Sequence, residues 1–259
     1  MSAAGWGLAL ASILSIIGHF AGWLTIDGTI AAALVGGAVF AGGGIPGGIL
    51  LALFFVSGSI LTQINHSRGH PDPAAGVKQG RNARQVCANG LWAAIGALLI
   101  RGQPAEGWAI VTGALTAAQS DTWATEFGVL STVRPRSIVT WRLVETGSSG
   151  GVTVLGTLGG VLGGLVLLGA ALGAGVPRFA AVAGLAGGLL GMVADSLLGA
   201  SLQGRFYCDR CNQKTELRTH RCGTPTRRLA GLRWLDNDGV NLLATGAGGS
   251  AALLISSWL

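Results

Sequence analysis

The sequence predicts an all-α polytopic membrane protein of about eight glycine-rich transmembrane helices, with a small zinc-binding cytoplasmic loop between the last two. Three observations lead there. Half of the 259 residues are hydrophobic and only 11% are charged, for a mean hydropathy of +0.57, whereas soluble domains carry about 25% charged residues. Residues 1–64 contain one charged side chain, Asp27, over a length sufficient for about three bilayer crossings at ~20 residues each. The 45 glycines are scattered through the apolar runs without a triplet period, which argues against collagen and suits helices whose backbones approach closely in lipid. The same figures argue against a soluble enzyme.

Hydropathy places spans near residues 5–24, 28–43, 47–64, 84–101, 106–130, 152–173, 178–203 and 238–258, in one transmembrane domain over 1–259. The first lacks a basic leading region and a small-residue cleavage site, so it reads as a retained span. The second is short and runs into Gly42, Gly43, Gly44, Ile45, Pro46, Gly47 and Gly48. That stretch breaks a helix, so the segment is expected either to cross or to form a broken, re-entrant turn. Long polar loops follow the third, fifth and seventh spans, and an alternating path puts them on one side. All but Arg101 and Arg178 of the 17 basic residues lie in or beside these loops. The positive-inside rule makes that side cytoplasmic, with both termini outside for an even number of spans. If the second segment does not cross, the N-terminus moves inside and the loops stay. The expected location is the inner membrane of a prokaryote, and the net charge of +6 requires no nucleic acid. The eight Trp residues suit interfacial anchors.

Ionisable groups within spans are costly in lipid and mark paired or functional positions. Asp121 and Glu126 lie in the fifth span, Asp195 in the seventh and Asn89 in the fourth. Counted from the loop-bearing ends, Asn89, Asp121 and Asp195 sit roughly 7 to 15 Å deep. Asp236, Asn237, Asp238 and Asn241 open the eighth span from the same side. Asp236 is placed as a helix cap, and Asp238 and Asn241 share a helical face. Oxygen ligands of this kind suit Mg²⁺, which takes one or two carboxylates and completes its shell with water and phosphate. Lys78, Arg81, Asn82 and Arg84 precede the fourth span as a cationic approach. Gly147, Ser148, Ser149, Gly150 and Gly151 precede the sixth, where a flexible backbone could cradle an anion or simply form a loop. No Walker A or protein-kinase pattern accompanies them. Trp123, beside Asp121, is a candidate substrate contact.

Cys208, Cys211, His220 and Cys222 form a C-x2-C-x8-H-x-C pattern in the last loop, residues 204–235. Four ligands in so short a stretch suit a closed structural Zn²⁺ site stapling a loop without its own core. A redox pair is the alternative. Cys87 stands apart as a packing residue. His19 reads as a helix–helix hydrogen bond, and His66 and His70 as loop residues.

The order of these motifs is distinctive. It runs from Lys78-x-Gly80-Arg81-Asn82 and Gln85 to Asn89, through Ser120-Asp121-Thr122 with Glu126-Phe127-Gly128 and Gly147 to Thr153. Asp195-Ser196 with Gly199 to Gln203 follows, then Asn237-Asp238 with Val240-Asn241. Taken together this resembles the integral membrane family that contains plant phytyl-phosphate kinase, over roughly residues 60–245. The cysteine cluster is similar to one in prokaryotic members. The resemblance implies an enzyme that phosphorylates a polyprenyl or phytyl monophosphate to the diphosphate, with a nucleoside triphosphate as donor and CTP the suggested one. Its partners are then a lipid-embedded isoprenoid phosphate, the nucleotide and the bilayer. On this reading Asp121, Asp195 and Asp238 position Mg²⁺, directly or through water, while Asn89, Glu126 and Asn241 shape the site. Lys78, Arg81, Asn82, Arg84 and residues 147–151 bind phosphates. The competing readings are a lipid-phosphate or ion-coupled transporter or flippase, and a CTP-dependent cytidylyltransferase.

Overall fold

The computed structural model describes residues 3–69 and 80–259. Its helices are α1 (Ala3–Phe20), α2 (Ile26–Ser67), α3 (Ala83–Leu99), α4 (Pro104–Gly128), α5 (Val154–Gly173), α6 (Arg178–Ser201) and α7 (Asn237–Ser256). Four of them, α2, α5, α6 and α7, are long and apolar enough to cross a membrane, and α1 is a shorter apolar helix. Local sequence explains the starts. Thr25 accepts from Gly28 N (3.2 Å) to cap α2, and Asn82 and Gln85 form a reciprocal capping box on α3. Pro104 opens α4 without needing an N–H partner. Thr153 caps α5 through Gly156 N (3.0 Å), and Asp236, as expected, caps α7 through Gly239 N (3.1 Å).

Among the described residues the expected eight helices are seven elements, the second and third predicted spans forming the two arms of α2. α2 is interrupted at Gly44, whose φ of 58° and ψ of −149° lie in a region that glycine alone occupies readily. The two arms then double back on each other. A β-carbon built on Gly36 would lie 3.7 Å from Leu51 Cδ2, and one on Gly47 would lie 3.1 Å from the Val39 carbonyl oxygen. In a straight helix residues 36 and 51 would be ~22 Å apart. The glycine-rich break expected from the sequence is therefore a reversal within one residue, with no loop between the arms. Antiparallel to the first arm runs α1, with Gly36 against Ala11 and Gly37 against Leu8. His19 bonds to the Leu24 carbonyl in the turn between α1 and α2 (2.9 Å) rather than to another helix.

Helix α4 packs against α2, α3, α5, α6 and α7 and is buried at every position from Val111 through Ser120. That enclosure explains its low apolar content, since it has little lipid to face. Its polar side chains bond to neighbouring backbones: Thr112 Oγ1 donates to Ala180 O (2.8 Å) and Gln119 Nε2 to Gly163 O (2.8 Å). Glycines set the close spacing, and a β-carbon on Gly113 would stand 2.5 Å from Gly248 O across the α4–α7 contact. Large aliphatic side chains such as Ile13, Ile30, Leu34, Leu158, Leu190 and Leu254 point outward, while alanine, glycine and threonine fill the interior. This distribution suits a lipid surround, where small residues rather than large ones favour helix contact.

Connections differ at the two ends. Residues 100–103 and 174–177 and the Gly44 reversal are short. At the opposite end lie the long segment between α4 and α5, with a two-stranded antiparallel pair of β1 (Arg136–Ser137) and β2 (Gly151–Val152), and the segment between α6 and α7. The latter folds as a three-stranded antiparallel sheet of order β4-β3-β5, comprising β3 (Arg205–Cys208), β4 (Gln213–Thr215) and β5 (Arg227–Ala230). The two polar segments thus gather at one end of the bundle, joined to each other by Ser149 with Glu216 and to the start of α3 by Asp236 with Arg84.

Candidate functional site

The loop-bearing end holds most of the residues expected at the site, in three groups. The first lies between the second arm of α2 and the C-terminal half of α4. Arg81 is anchored at its backbone, its N–H donating to Trp23 O (2.8 Å) and its carbonyl accepting from Thr25 N (3.2 Å). Its guanidinium lies 5.5 Å from the Phe54 ring and 5.8 Å from the Phe55 ring. A β-carbon on Gly58 would stand 2.9 Å from Arg81 Nη2 and 3.1 Å from Thr122 Cγ2. Gly58 therefore leaves the room through which Arg81 reaches the neighbour of Asp121. Glu126 is held by α2: Thr62 Oγ1 donates to Oε1, and Asn65 Nδ2 donates to Oε2 (2.7 Å) and to the Glu126 carbonyl (2.8 Å). Asn65 is only 4% exposed, so this group clamps two helices. Trp123 donates to Ser57 Oγ (3.2 Å) and stacks on Phe127, which is a packing role.

The second group is centred on Asp195 of α6 and Gln203 just beyond it, whose Oδ2 and Oε1 respectively are buried with no hydrogen-bond partner among the described residues, as are Gln119 Oε1 and Ser120 Oγ on the α5-facing side of α4. Buried polar atoms are normally paired, so such atoms call for an explanation. The charges that bear on Asp195 are those of Asp121 and Glu216. Glu216 follows β4 and reaches back to the Gly/Ser segment, where Ser149 N (3.1 Å) and Ser149 Oγ (2.6 Å) donate to Oε1 and Gln203 Nε2 (2.7 Å) donates to Oε2. The segment 147–151 does hold an anion, a carboxylate of its own chain. Gly147 and Gly150 supply the positive φ of the turn (82° and 72°), Ser148 N bonds to Glu145 O, and Gly151 N to Ser148 O.

The third group joins α3 to α7. Arg84 Nη2 pairs with Asp236 Oδ2 (2.8 Å) and its Nε approaches Asp238 Oδ2 (3.8 Å). Arg84 and Asp238, read from the sequence as a phosphate-binding and a metal-positioning residue, lie side by side here. Asn82 caps α3 through its Oδ1, and Asn89 Nδ2 donates to Gln85 O of its own helix (3.0 Å). Asn241 lies a turn into α7, where Thr245 Oγ1 bonds both to its carbonyl (2.8 Å) and to Ala88 O (2.9 Å), tying the two helices together at this depth. Lys78 and His70 lie outside the described residues.

Asp121, Asp195 and Asp238 are not drawn into one compact ligand cluster. Among the described residues the group that meets that standard is Cys208, Cys211, His220 and Cys222, whose ligand atoms all lie within 4.8 Å of one another. Cys208 Sγ is 3.6 Å from Cys222 Sγ, and His220 Nδ1 is 3.1 Å from Cys222 Sγ. Tetrahedral bonds of about 2.3 Å to sulfur require sulfurs about 3.8 Å apart, so these four residues fit a zinc-sized ion. Hydrogen bonding to Thr224, then to His220, pulls the Cys222 thiol down to about 5, ready to ligate as thiolate. Hydrogen bonding to Cys222 pushes Cys211 up to about 11. Sequence reasoning missed Glu216, Thr62 and Asn65. Glu216 sits in a charged loop with no periodicity, and only the turn after β4 reveals its direction.

The family described as integral membrane protein DUF92 matches residues 9–249, a range that includes all three groups and the cysteine cluster. An uncharacterised membrane protein of Methanocaldococcus jannaschii is 32% identical over 212 residues, covering 80% of this chain and 75% of the relative. Protein PGR of Arabidopsis thaliana is 29% identical over 76% of this chain and 77% of its own. Protein VTE6, chloroplastic, of the same plant is 26% identical over 91% of this chain and 66% of its own. No solved structure matches.

Proposed function

This chain belongs to the DUF92 integral membrane family, and from that premise we propose that it is a membrane kinase for isoprenoid monophosphates. It would transfer a phosphoryl group from a nucleoside triphosphate, CTP being the donor to test first, to phytyl, geranylgeranyl or a similar phosphate. The observation that carries the reading is the buried carboxylate of Asp195, with an unpartnered oxygen and with Asp121 in its field, beneath loops rich in arginine. The family resemblance supplies the reaction class.

The donor set fits a hard divalent cation: two carboxylates and neighbouring amide oxygens suit Mg²⁺. Bound there, Mg²⁺ would offset charge on the transferring phosphoryl group. Asp121 and Asp195 would hold it, and Asp238 would act at one remove, through Arg84. Arg81, carried between α2 and α4, would meet a phosphate oxygen with its planar fork. The acceptor phosphate is already an oxyanion, so its oxygen attacks the terminal phosphorus as the bond to the nucleoside diphosphate breaks, and no side chain need remove a proton. The isoprenoid tail would lie along the glycine-lined helices in the bilayer. Zn²⁺ in the cysteine cluster would fix the hairpin over the site, and the basic loops would face the cytoplasm.

A transporter would use a broken helix at its binding site. Here the break at Gly44 stands beside Ile100 and Trp108, with Gly42 against Ala97 and Gly43 against Trp108, at the end away from the acids. That separation favours the kinase. The test is incubation of the purified, detergent-solubilised protein with Mg²⁺, CTP and phytyl, geranylgeranyl and longer polyprenyl monophosphates, with products read by mass spectrometry. Lipid diphosphate plus CDP is the expected result. CMP-linked lipid plus pyrophosphate would replace the kinase by a cytidylyltransferase, and no turnover with any nucleoside triphosphate would return the weight to transport.

A further inference from the structure

We propose that the cysteine-bearing hairpin delivers a further ligand, Glu216, to the divalent-cation site at Asp195 and Asp121, together with the Gln203 side-chain oxygen. Asp195 and Gly199 lie four residues apart, hence on one face at the end of α6, and Gln203 stands just beyond the helix, its N–H still bonded to Leu198 O (3.1 Å). The middle position is glycine, and a β-carbon there would stand 3.2 Å from Ser149 Cβ. The Ser149 segment therefore seats itself on α6 between the acid and the amide. Gly150 repeats the fit, since a β-carbon on it would lie 2.5 Å from Ser196 O. Onto this seat Glu216 descends from the hairpin, bonded to Ser149 at one carboxylate oxygen and to Gln203 at the other.

The unpartnered atoms give the ligand its sign. Gln203 is 2% exposed, its Nε2 donates to Glu216, and that bond fixes its Oε1 as the atom left without a partner. Asp195 Oδ2 is likewise buried and unpartnered. Both are acceptors near Glu216: Asp195 lies within reach of its charge, and Glu216 Oε2, bonded once by Gln203 Nε2, keeps a lone pair while Oε1 is filled by Ser149 N and Oγ. A phosphate would be repelled by this set, whereas a hard cation with its water would complete every lone pair. The two carboxylates come from different elements, one from α6 and one from the hairpin that the cysteine cluster can staple. Loading that cluster would thus govern whether the second carboxylate is in position, as outer ligands tune a metal site elsewhere.

The inference deepens the kinase reading and rests on it for the cation's purpose, though the site itself can be measured without any substrate. Mn²⁺ is titrated into the purified full chain, its cysteine cluster loaded with zinc, in the absence of nucleotide and lipid, and free Mn²⁺ is read by electron paramagnetic resonance. We expect saturable binding, weakened about tenfold or more by Glu216→Gln and by Asp195→Asn, with Glu216→Asp recovering part of the loss. Zinc content, measured in the same samples, should stay at the wild-type level in all three variants, which separates lost ligation from a lost hairpin. Undetectable Mn²⁺ binding by the wild type, or wild-type affinity in Glu216→Gln, would overturn the site. If Glu216→Gln loses its zinc, Gln203→Leu decides, because it removes the amide oxygen while keeping the Glu216 carboxylate and its two bonds from Ser149; unchanged affinity there would likewise overturn it. Saturable binding of this pattern in a protein without kinase activity would retain the cation site and discard only the kinase.

Discussion

The two ends of the helix bundle are built by different means. At one end the chain turns on its backbone: Gly44 reverses α2 in a single residue, four residues join α3 to α4 and four join α5 to α6, and Arg101 Nη2 donates to Ala41 O (3.3 Å) across the turns. At the other end side chains do the holding. Thr25, Asn82, Thr153 and Asp236 cap helices, Thr62 and Asn65 grip Glu126, and Ser149 and Gln203 grip Glu216. Turning a helix evidently needs little polar chemistry in this chain. The carboxylates, amides and guanidinium groups at the second end outnumber what its caps and turns use, which supports the proposal that the site lies there.

The sharpest way to break that comparison is to neutralise an acid. Asp195→Asn, and separately Asp121→Asn, should lower kinase turnover about 100-fold or more, the scale on which removal of one electrostatic group acts at a transition state. Thermal stability should be kept, since a buried neutral amide replaces a buried charge. Turnover and melting temperature are measured on the same preparations. Wild-type turnover in both variants would remove the acids from the site.

The converse variant lies in the helix body. Gly113→Val puts a branched side chain where a β-carbon already stands 2.5 Å from Gly248 O, and forcing extra volume into a packed contact costs about 1–3 kcal/mol. The expected result is a lower melting temperature with unchanged turnover per folded molecule. A drop in turnover without loss of stability would mean that the α4–α7 contact transmits to the site.

This division also describes what could be read from residues alone. Membrane class and the gathering of basic loops at one end follow from composition and charge, because lipid penalises every exposed polar group and leaves little freedom in where charges go. The break at residues 42–48 was legible from its glycines and proline, but its sharpness was not: positive φ at Gly44 is a property of the packed arms. For the same reason eight predicted spans became seven elements. The Asp236 cap and the ligand spacing of Cys208, Cys211, His220 and Cys222 are local patterns, and local patterns survive translation into structure. Roles set by distant partners do not. Arg84 meets Asp236 across 152 residues of chain and Glu216 meets Ser149 across 67, so no spacing rule announces either pairing.

Asn65 tests the boundary between holding and function at the loop end itself. Asn65→Leu removes the amide that serves both Oε2 and the carbonyl of Glu126 while Thr62 still donates to Oε1, and losing hydrogen bonds to a charged group costs about 1.5–3 kcal/mol. A thermal melt should show that loss, with Glu126→Gln recovering less than the wild type because its amide cannot accept at both positions. If Asn65→Leu instead reduced turnover at full stability, Glu126 would belong with the acids that act on substrate.

The smallest effect is expected at Arg84. Its side chain is 68% exposed and its partner Asp236 32%, so the pair is screened by solvent and its loss should cost no more than about 1 kcal/mol. Asp236 keeps its capping bond to Gly239 N in Arg84→Ala, and α7 should therefore start where it does now. Turnover is the more informative readout. A change of less than about tenfold, roughly the 1.4 kcal/mol that separates a screened pair from a group engaged at a transition state, leaves Arg84 as a tether between α3 and α7. A larger fall at unchanged melting temperature would restore the phosphate contact that the sequence suggested, and would mean that Arg84 exchanges its two aspartates for a substrate anion during the reaction.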